Sequence, residues 1–199
     1  MTKQLLSVLL LTAAAAAAQS QELGLLLGGV LKQDRNISSS SLSLSGGTSL
    51  HANYGVRLAG KKTAAVYGAV NFIANPLRDV VTTNRLAIRD FATIYLTPEV
   101  RVKFAPSSPV TPFVFAGAGL AVYEHSTLNI GGTASAVART SNTGTFTYGG
   151  CVDVRGWRWI GLRGEIRDNY SGSPLFNAGA GAGRQHNTTV AGGLVLRFR

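Results

Sequence analysis

Cysteine is nearly missing from this 199-residue chain. Cys151 stands alone, so no disulfide can form within one molecule even in an oxidising compartment, and the thiol reads as a packing group. Charge is scarce as well: Asp, Glu, Lys and Arg make up 14% of the residues against roughly 25% in an ordinary soluble domain, which argues against a solvated helical bundle. Acidic residues are the rarer sign, 9 against 19 basic ones, for a formal charge of +10. A nucleic-acid footprint needs basic residues gathered in a patch or stripe. Here they are scattered along the chain, mostly singly, and nucleic acid is not an expected partner. With 3 His and one Cys there is no metal-ligand cluster. The glycine run Gly179-Ala180-Gly181-Ala182-Gly183 lacks the strand-to-helix context of a phosphate loop, so neither metal nor cofactor is expected. Beyond residue 20 no stretch approaches the ~18 consecutive apolar residues of a spanning helix. Any membrane crossing by the mature chain therefore needs a closed barrel, because lipid leaves an open sheet edge unsatisfied.

What is present begins with an address. Lys3 precedes an apolar run from Leu5 to Ala18, broken only by Ser7 and Thr12, and then Ala18-Gln19-Ser20. A basic start, a short apolar centre and small residues at the cut describe a secretory signal peptide, too short for a membrane anchor. Residues 1–20 are expected to be removed, leaving residues 21–199 as one domain.

Period-2 alternation then recurs through the chain. Ala92, Ile94, Leu96, Pro98, Val100, Val102 and Phe104 share one face, and Thr93, Tyr95, Thr97, Glu99, Arg101 and Lys103 share the other, as the pleat of a strand requires. The same split runs through Trp159–Tyr170 and along the C-terminal segment around Val190–Phe198. Weaker versions cover Leu50–Ala59, Thr63–Ala74, Pro112–Glu124 and Thr143–Arg155, with a Leu/Gly-rich one at Glu22–Lys32. Eight segments result, each about the 9 to 11 residues that a tilted strand needs to cross a bilayer. Their connections, residues 33–49, 60–62, 75–89, 105–111, 125–142, 156–158 and 171–185, alternate long and short without exception. A soluble sandwich has no reason to sort its loops in this way; an outer-membrane barrel has short periplasmic turns at one end and long external loops at the other. The reading is an all-β, eight-stranded, antiparallel up-and-down transmembrane barrel, a meander closed by its first and last strands, with both termini on the periplasmic side.

Charge assigns the faces. A basic residue meeting lipid near the midplane costs ~2 to 4 kcal/mol, so the apolar set faces out, and Tyr54, Phe72, Phe113, Phe115, Tyr123, Phe146, Tyr148 and Phe198 are expected in interfacial girdles. The inward set holds Arg57, Arg101, Lys103, Arg155, Arg163, Arg167 and Arg197 with Glu99, Asp153 and Glu165. An eight-stranded barrel is only wide enough for its side chains to fill, so these charges are expected to pair in a buried network that plugs the lumen.

The stretches Leu162-Arg163-Gly164-Glu165-Ile166-Arg167-Asp168-Asn169-Tyr170-Ser171-Gly172, Arg184-Gln185-His186-Asn187 and Gly192-Gly193-Leu194-Val195-Leu196-Arg197-Phe198 resemble an uncharacterised family of small outer-membrane β-barrel proteins. The plan of the mature chain resembles the OmpA/OmpX-type membrane domain. The resemblance implies location in the outer membrane of a Gram-negative bacterium, contact with its lipid, and a monomer. It also implies that the last strand, through Leu194, Leu196 and Phe198, carries the signal read by the outer-membrane assembly machinery, with Arg199 one residue beyond it.

The function expected from these features is structural or surface-interacting, with the long loops facing out and their ligand unspecified. Three competitors bear on it. Basic residues outnumber acidic ones seven to three on the inward face, which would suit a narrow anion-preferring pore. A lipid A-modifying enzyme of the deacylase kind would need a His and Ser near the outer rim, which points to His125-Ser126 and His186. Adjacent strand residues face opposite ways, no carboxylate orienter is evident, and Arg184-Gln185-His186-Asn187 reads better as a polar segment fixing the last strand's register, so no catalytic residue is expected. A secreted soluble barrel of lipocalin type would invert the two faces.

Overall fold

The computed structural model describes residues 20–37, 40–82, 85, 87–136, 138–172 and 184–198. The signal-peptide reading of residues 1–20 lies outside these save for Ser20, as do the Gly179–Gly183 run, part of the serine-rich stretch after Ile37, and Arg199. Among the described residues ten strands form: β1 Gln21–Val30, β2 Gln33–Ile37, β3 Ser40–Leu44, β4 Gly47–Gly60, β5 Ala64–Val81, β6 Asp90–Phe104, β7 Val110–His125, β8 Thr140–Arg155, β9 Ile160–Gly172 and β10 Arg184–Phe198.

Eight of them close a ring. Each of β4 to β9 pairs antiparallel with its successor, and β1 pairs with β4 on one side and β10 on the other, the latter from Gln21↔Phe198 to Val30↔Thr189. This is the up-and-down barrel expected from the alternation, with no free edge in its wall. The remaining strands, β2 and β3, make a hairpin that leans on the end of β5 through Ser43↔Val81 and Leu44↔Val80. Short turns at 61–63, 105–109 and 156–159 lie at the end that holds Gln21 and Phe198; the longer connections lie at the other.

Two expected loops are in part strand. Residues 75–81 continue β5, because the ladder to β6 absorbs Pro76 in an irregularity between Asn75 and Arg78 and resumes at Arg78↔Phe91. A bulge is where a strand tolerates a residue with no N–H to donate. Within 33–49, the β2–β3 hairpin and the start of β4 replace a coil. Pro98 is handled differently: β6 and β7 pair at Leu96↔Leu120 and again at Glu99↔Gly117, in one register, with the rungs at Thr97 and Pro98 unmade.

The faces follow the charge argument. Leu25, Leu27, Leu50, Val70, Phe72, Ile94, Leu96, Val100, Val114, Leu120, Val152, Leu162, Ile166, Val190 and Leu194 are exposed on the outer wall, while Glu22, Glu99, Arg101, Lys103, Asp153, Arg163, Glu165 and Arg167 are buried inside. The lipocalin alternative is thereby excluded, since its polarity is the reverse. The expected girdle needs correction. Tyr54, Phe72, Phe146, Tyr148 and Phe198 do face outward, but Phe113, Phe115 and Tyr123 are buried in the lumen. On β7 both faces are apolar, so no charged residue marks the inside, and aromatic character alone does not choose a face.

Candidate functional site

The centre of the lumen is filled by side chains from β1, β6, β8 and β9. On β6 and β9 the acid and base sit two residues apart and so share the inward face: Arg101 Nε donates to Glu99 Oε1 at 2.7 Å, and Arg167 Nε to Glu165 Oε1 at 2.8 Å. Cross-barrel contacts tie these pairs together. Arg163 clasps Asp153 with Nε and Nη2 at 2.7 and 3.0 Å, and also reaches Glu22 Oε1 at 3.0 Å and Asn53 Oδ1 at 2.8 Å. Such forked guanidinium–carboxylate contacts are the strong form of the hydrogen bond. Arg101 Nη1 meets Glu22 Oε1 at 2.8 Å, Arg167 Nη1 meets Glu99 Oε2 at 2.7 Å, and Lys103 Nζ bonds Asp153 Oδ2 at 2.8 Å and also Glu22.

Aromatic rings complete the packing. Lys103 and Arg163 lie over Phe113 at 4.7 and 4.9 Å from its centroid, and Arg167 lies over Phe115 at 3.9 Å. The negative ring faces help to hold cations out of water. Room for the last of these comes from Gly149, where a Cβ would stand 2.6 Å from the Phe115 ring and 2.2 Å from the Ile166 carbonyl oxygen.

Sequence reasoning missed several members. Glu22 receives Arg101, Lys103 and Arg163, and its place on the inward parity of β1, opposite Leu23, Leu25 and Leu27, was the available signal. His51 Nδ1 lies 3.1 Å from Glu165 Oε1, with Ser49 Oγ at 2.7 Å from its Nε2, and Cys151 Sγ donates to Glu165 Oε2 at 3.3 Å. Conversely, Arg57 and Arg155 lie outside the network. Arg57 Nη2 donates to the Gly60 carbonyl at 3.0 Å and Arg155 Nη2 to the Pro106 carbonyl at 3.3 Å, both at the short-turn mouth. Arg197 bridges the two regions, with Nη2 at 3.2 Å from Asp153 Oδ2. The central charges are therefore Arg101, Lys103, Arg163 and Arg167 against Glu22, Glu99, Asp153 and Glu165, a balanced set. The seven-to-three excess expected on the inward face arises from counting mouth residues and omitting Glu22.

Above this layer, toward the long connections, the lumen is closed by Leu44, Ile73, Val80, Ile88, Phe91, Tyr95, Ala121 and Tyr123. Polar neighbours fasten this cap: Tyr123 Oη lies 2.6 Å from Ser171 Oγ, and Arg78 Nη1 donates to Asn187 Oδ1 at 2.9 Å while its guanidinium lies 5.5 Å from the Phe91 centroid.

His125 and Ser126 form no dyad. His125 is buried with Nδ1 at 3.1 Å from the Ala138 carbonyl, and Ser126 Oγ accepts from the Leu128 amide. His186 does have a carboxylate partner, contrary to expectation. Its Nδ1 lies 2.5 Å from Asp168 Oδ2 on the outer wall, where Tyr148 Oη and Thr188 Oγ1 also donate to Asp168. No serine is bonded to this pair among the described residues, and no cluster of His, Cys, Asp and Glu there is placed to hold a metal.

No protein-family model matches the chain, and no curated protein does. Solved structures do. Neisserial surface protein A (NspA) superposes with a TM-score of 0.54 at 17% identity, over 90% of this chain and 97% of that one. OprG of Pseudomonas aeruginosa gives 0.54 at 9% identity, over 91% and 96%. Ail, the attachment invasion locus protein of Yersinia pestis, gives 0.51 at 14%, over 90% and 98%. At these identities the likeness is one of fold: the chain has the fold of the small outer-membrane β-barrels.

Proposed function

We propose that this chain is a monomeric outer-membrane protein of a Gram-negative bacterium, exported by a cleaved signal peptide, with a structural or surface-interaction role and a lumen that does not conduct. The observation that carries the reading is the filling of the barrel. A charge-balanced network at its centre and an aromatic cap at its loop end leave the long connections as the variable surface, and loops on a rigid scaffold are where recognition is usually placed. The apolar outer wall supports contact with lipid, and similarity in fold to a neisserial surface protein and to an attachment invasion locus protein fits a barrel that works through its outer loops. Leu194, Leu196 and Phe198, which lie on the outward parity of the last strand, are the residues we assign to recognition by the assembly machinery. The reading makes the protein neither an enzyme nor a pore.

Fractionation and planar-bilayer recording test it. The protein should sediment with the outer membrane, run with heat-modifiable mobility, and give no stable current. Recovery as a soluble periplasmic monomer without detergent would overturn the location, and a steady anion-selective current would replace the closed barrel with a pore.

A further inference from the structure

Several of the basic residues outside the central network are gathered at one place. Below the Lys103–Asp153–Arg163 layer, the short-turn end opens into a chamber of about 1210 Å³ whose lining includes Arg57, Lys103, Arg155, Arg158 and Arg197, together with both of the chain's tryptophans, and no Asp or Glu. Of these cations, Lys103 and Arg197 are tied to Asp153 or Glu22. Arg57 and Arg155 touch only backbone carbonyls, through a single Nη2 each, and among the described residues Arg158 is in no ion pair. Three guanidiniums thus retain most of their five N–H donors, in a fork geometry suited to oxyanions. They face a concave space with low-dielectric walls, which concentrates their field. The chamber ends blindly at the network, so an occupant enters and leaves by the same mouth.

We propose that this chamber is a binding site for a multivalent oxyanion of the phosphate class. The plug is neutral, so Arg57, Arg155 and Arg158 at the mouth are left without a carboxylate partner among the described residues. At about 1210 Å³ the chamber exceeds what a single inorganic ion needs and is roomy enough for a small organic ligand, whose pockets run to roughly 300–1,000 Å³. Trp157 and Trp159, 72% and 53% exposed on the wall, offer flat apolar faces to the scaffold that carries the anion. That the mouth opens to the periplasm rests on the proposed orientation; the chamber and its charge do not.

The two tryptophans make the test direct, since all indole emission comes from this chamber. The purified protein in zwitterionic detergent is titrated with sodium tripolyphosphate. A saturable change in emission is expected, with a dissociation constant at least tenfold weaker in R155Q/R158Q, and weakened further by added salt. Both side chains are exposed and outside the plug, so heat-modifiable mobility should be unchanged in the variant. The proposal is overturned by a response that does not saturate, by one that sodium chloride reproduces at equal ionic strength, or by equal affinity in wild type and variant. A parallel titration with phosphatidylglycerol in the micelle separates the sources. Competition with tripolyphosphate assigns the anion to a lipid headgroup, whereas binding that the lipid leaves untouched assigns it to a soluble phosphate compound. Failure of this titration in a protein that still fractionates with the outer membrane would remove the site and leave the barrel reading standing.

Discussion

Glu165 shows how tightly a single side chain can be bound into a filled lumen. It receives Arg167, sits beside His51, and accepts from Cys151, all in a space closed to water. Burying an ion pair contributes little net stability, but removing one partner leaves a charge with nowhere to go and costs roughly 3 to 5 kcal/mol. Glu165→Ala should therefore destabilise the folded barrel by about that amount, read as a lower urea midpoint in lipid vesicles. Unchanged unfolding would mean that water enters the network freely. Gly149 is constrained by space alone. Its missing Cβ is what lets Phe115 and the Ile166 backbone approach, so Gly149→Ala should lower the folding yield, while Gly164→Ala, where a Cβ meets nothing within 4 Å, should leave it near wild type. Equal yields would show that the wall relaxes around the extra methyl.

At the scale of the strand, depth in the membrane decides the cost of a change. Leu96 lies midway along the outward face of β6, and Phe104 ends it. Leu96→Arg should cost ~2 to 4 kcal/mol and Phe104→Arg no more than about 1 kcal/mol, because the penalty for a cation falls from the midplane to the interface. Measured by refolding into vesicles, the reverse order would invert the proposed seating. Thr97 is no neutral control for this pair, since it is fully buried in the lumen and a larger side chain there must displace packed neighbours. The strands were legible because a wall that separates lipid from a charged interior writes a period of two into the sequence. Legibility failed where that contrast vanished. β7 is apolar on both faces, which hid the inward Phe113, Phe115 and Tyr123. β1 carries one charge, Glu22, at its edge, and a single charge marks the inward parity only weakly. The continuation of β5 beyond Ala74 is not legible because the irregularity that accommodates Pro76 depends on the partner strand. The Asp168–His186 pair joins two strands across a long connection, and nothing local announces it.

For the whole barrel, the two fillings act in series. The balanced ion network closes the centre, and the Phe91–Tyr95–Tyr123 cap closes the loop end. On the proposed reading water and ions must pass both, so either one is expected to suffice to keep the barrel silent. Opening the centre while keeping its charge balanced requires removing an acid and a base together, and Asp153 with Arg163 is the suitable pair because each is the other's forked partner. Tyr95→Ala with Tyr123→Ala opens the other layer by deleting two large buried rings. Each double variant alone should give no stable current in a planar bilayer, and the four-fold variant should conduct, provided that heat-modifiable mobility shows it folded. A current from the D153A/R163A protein would place the only seal at the centre, and a current from the tyrosine variant would place it at the loop end. A silent four-fold variant would show that the remaining side chains, Glu22, Arg101, Glu99 and Arg167 foremost, close the lumen without either layer intact.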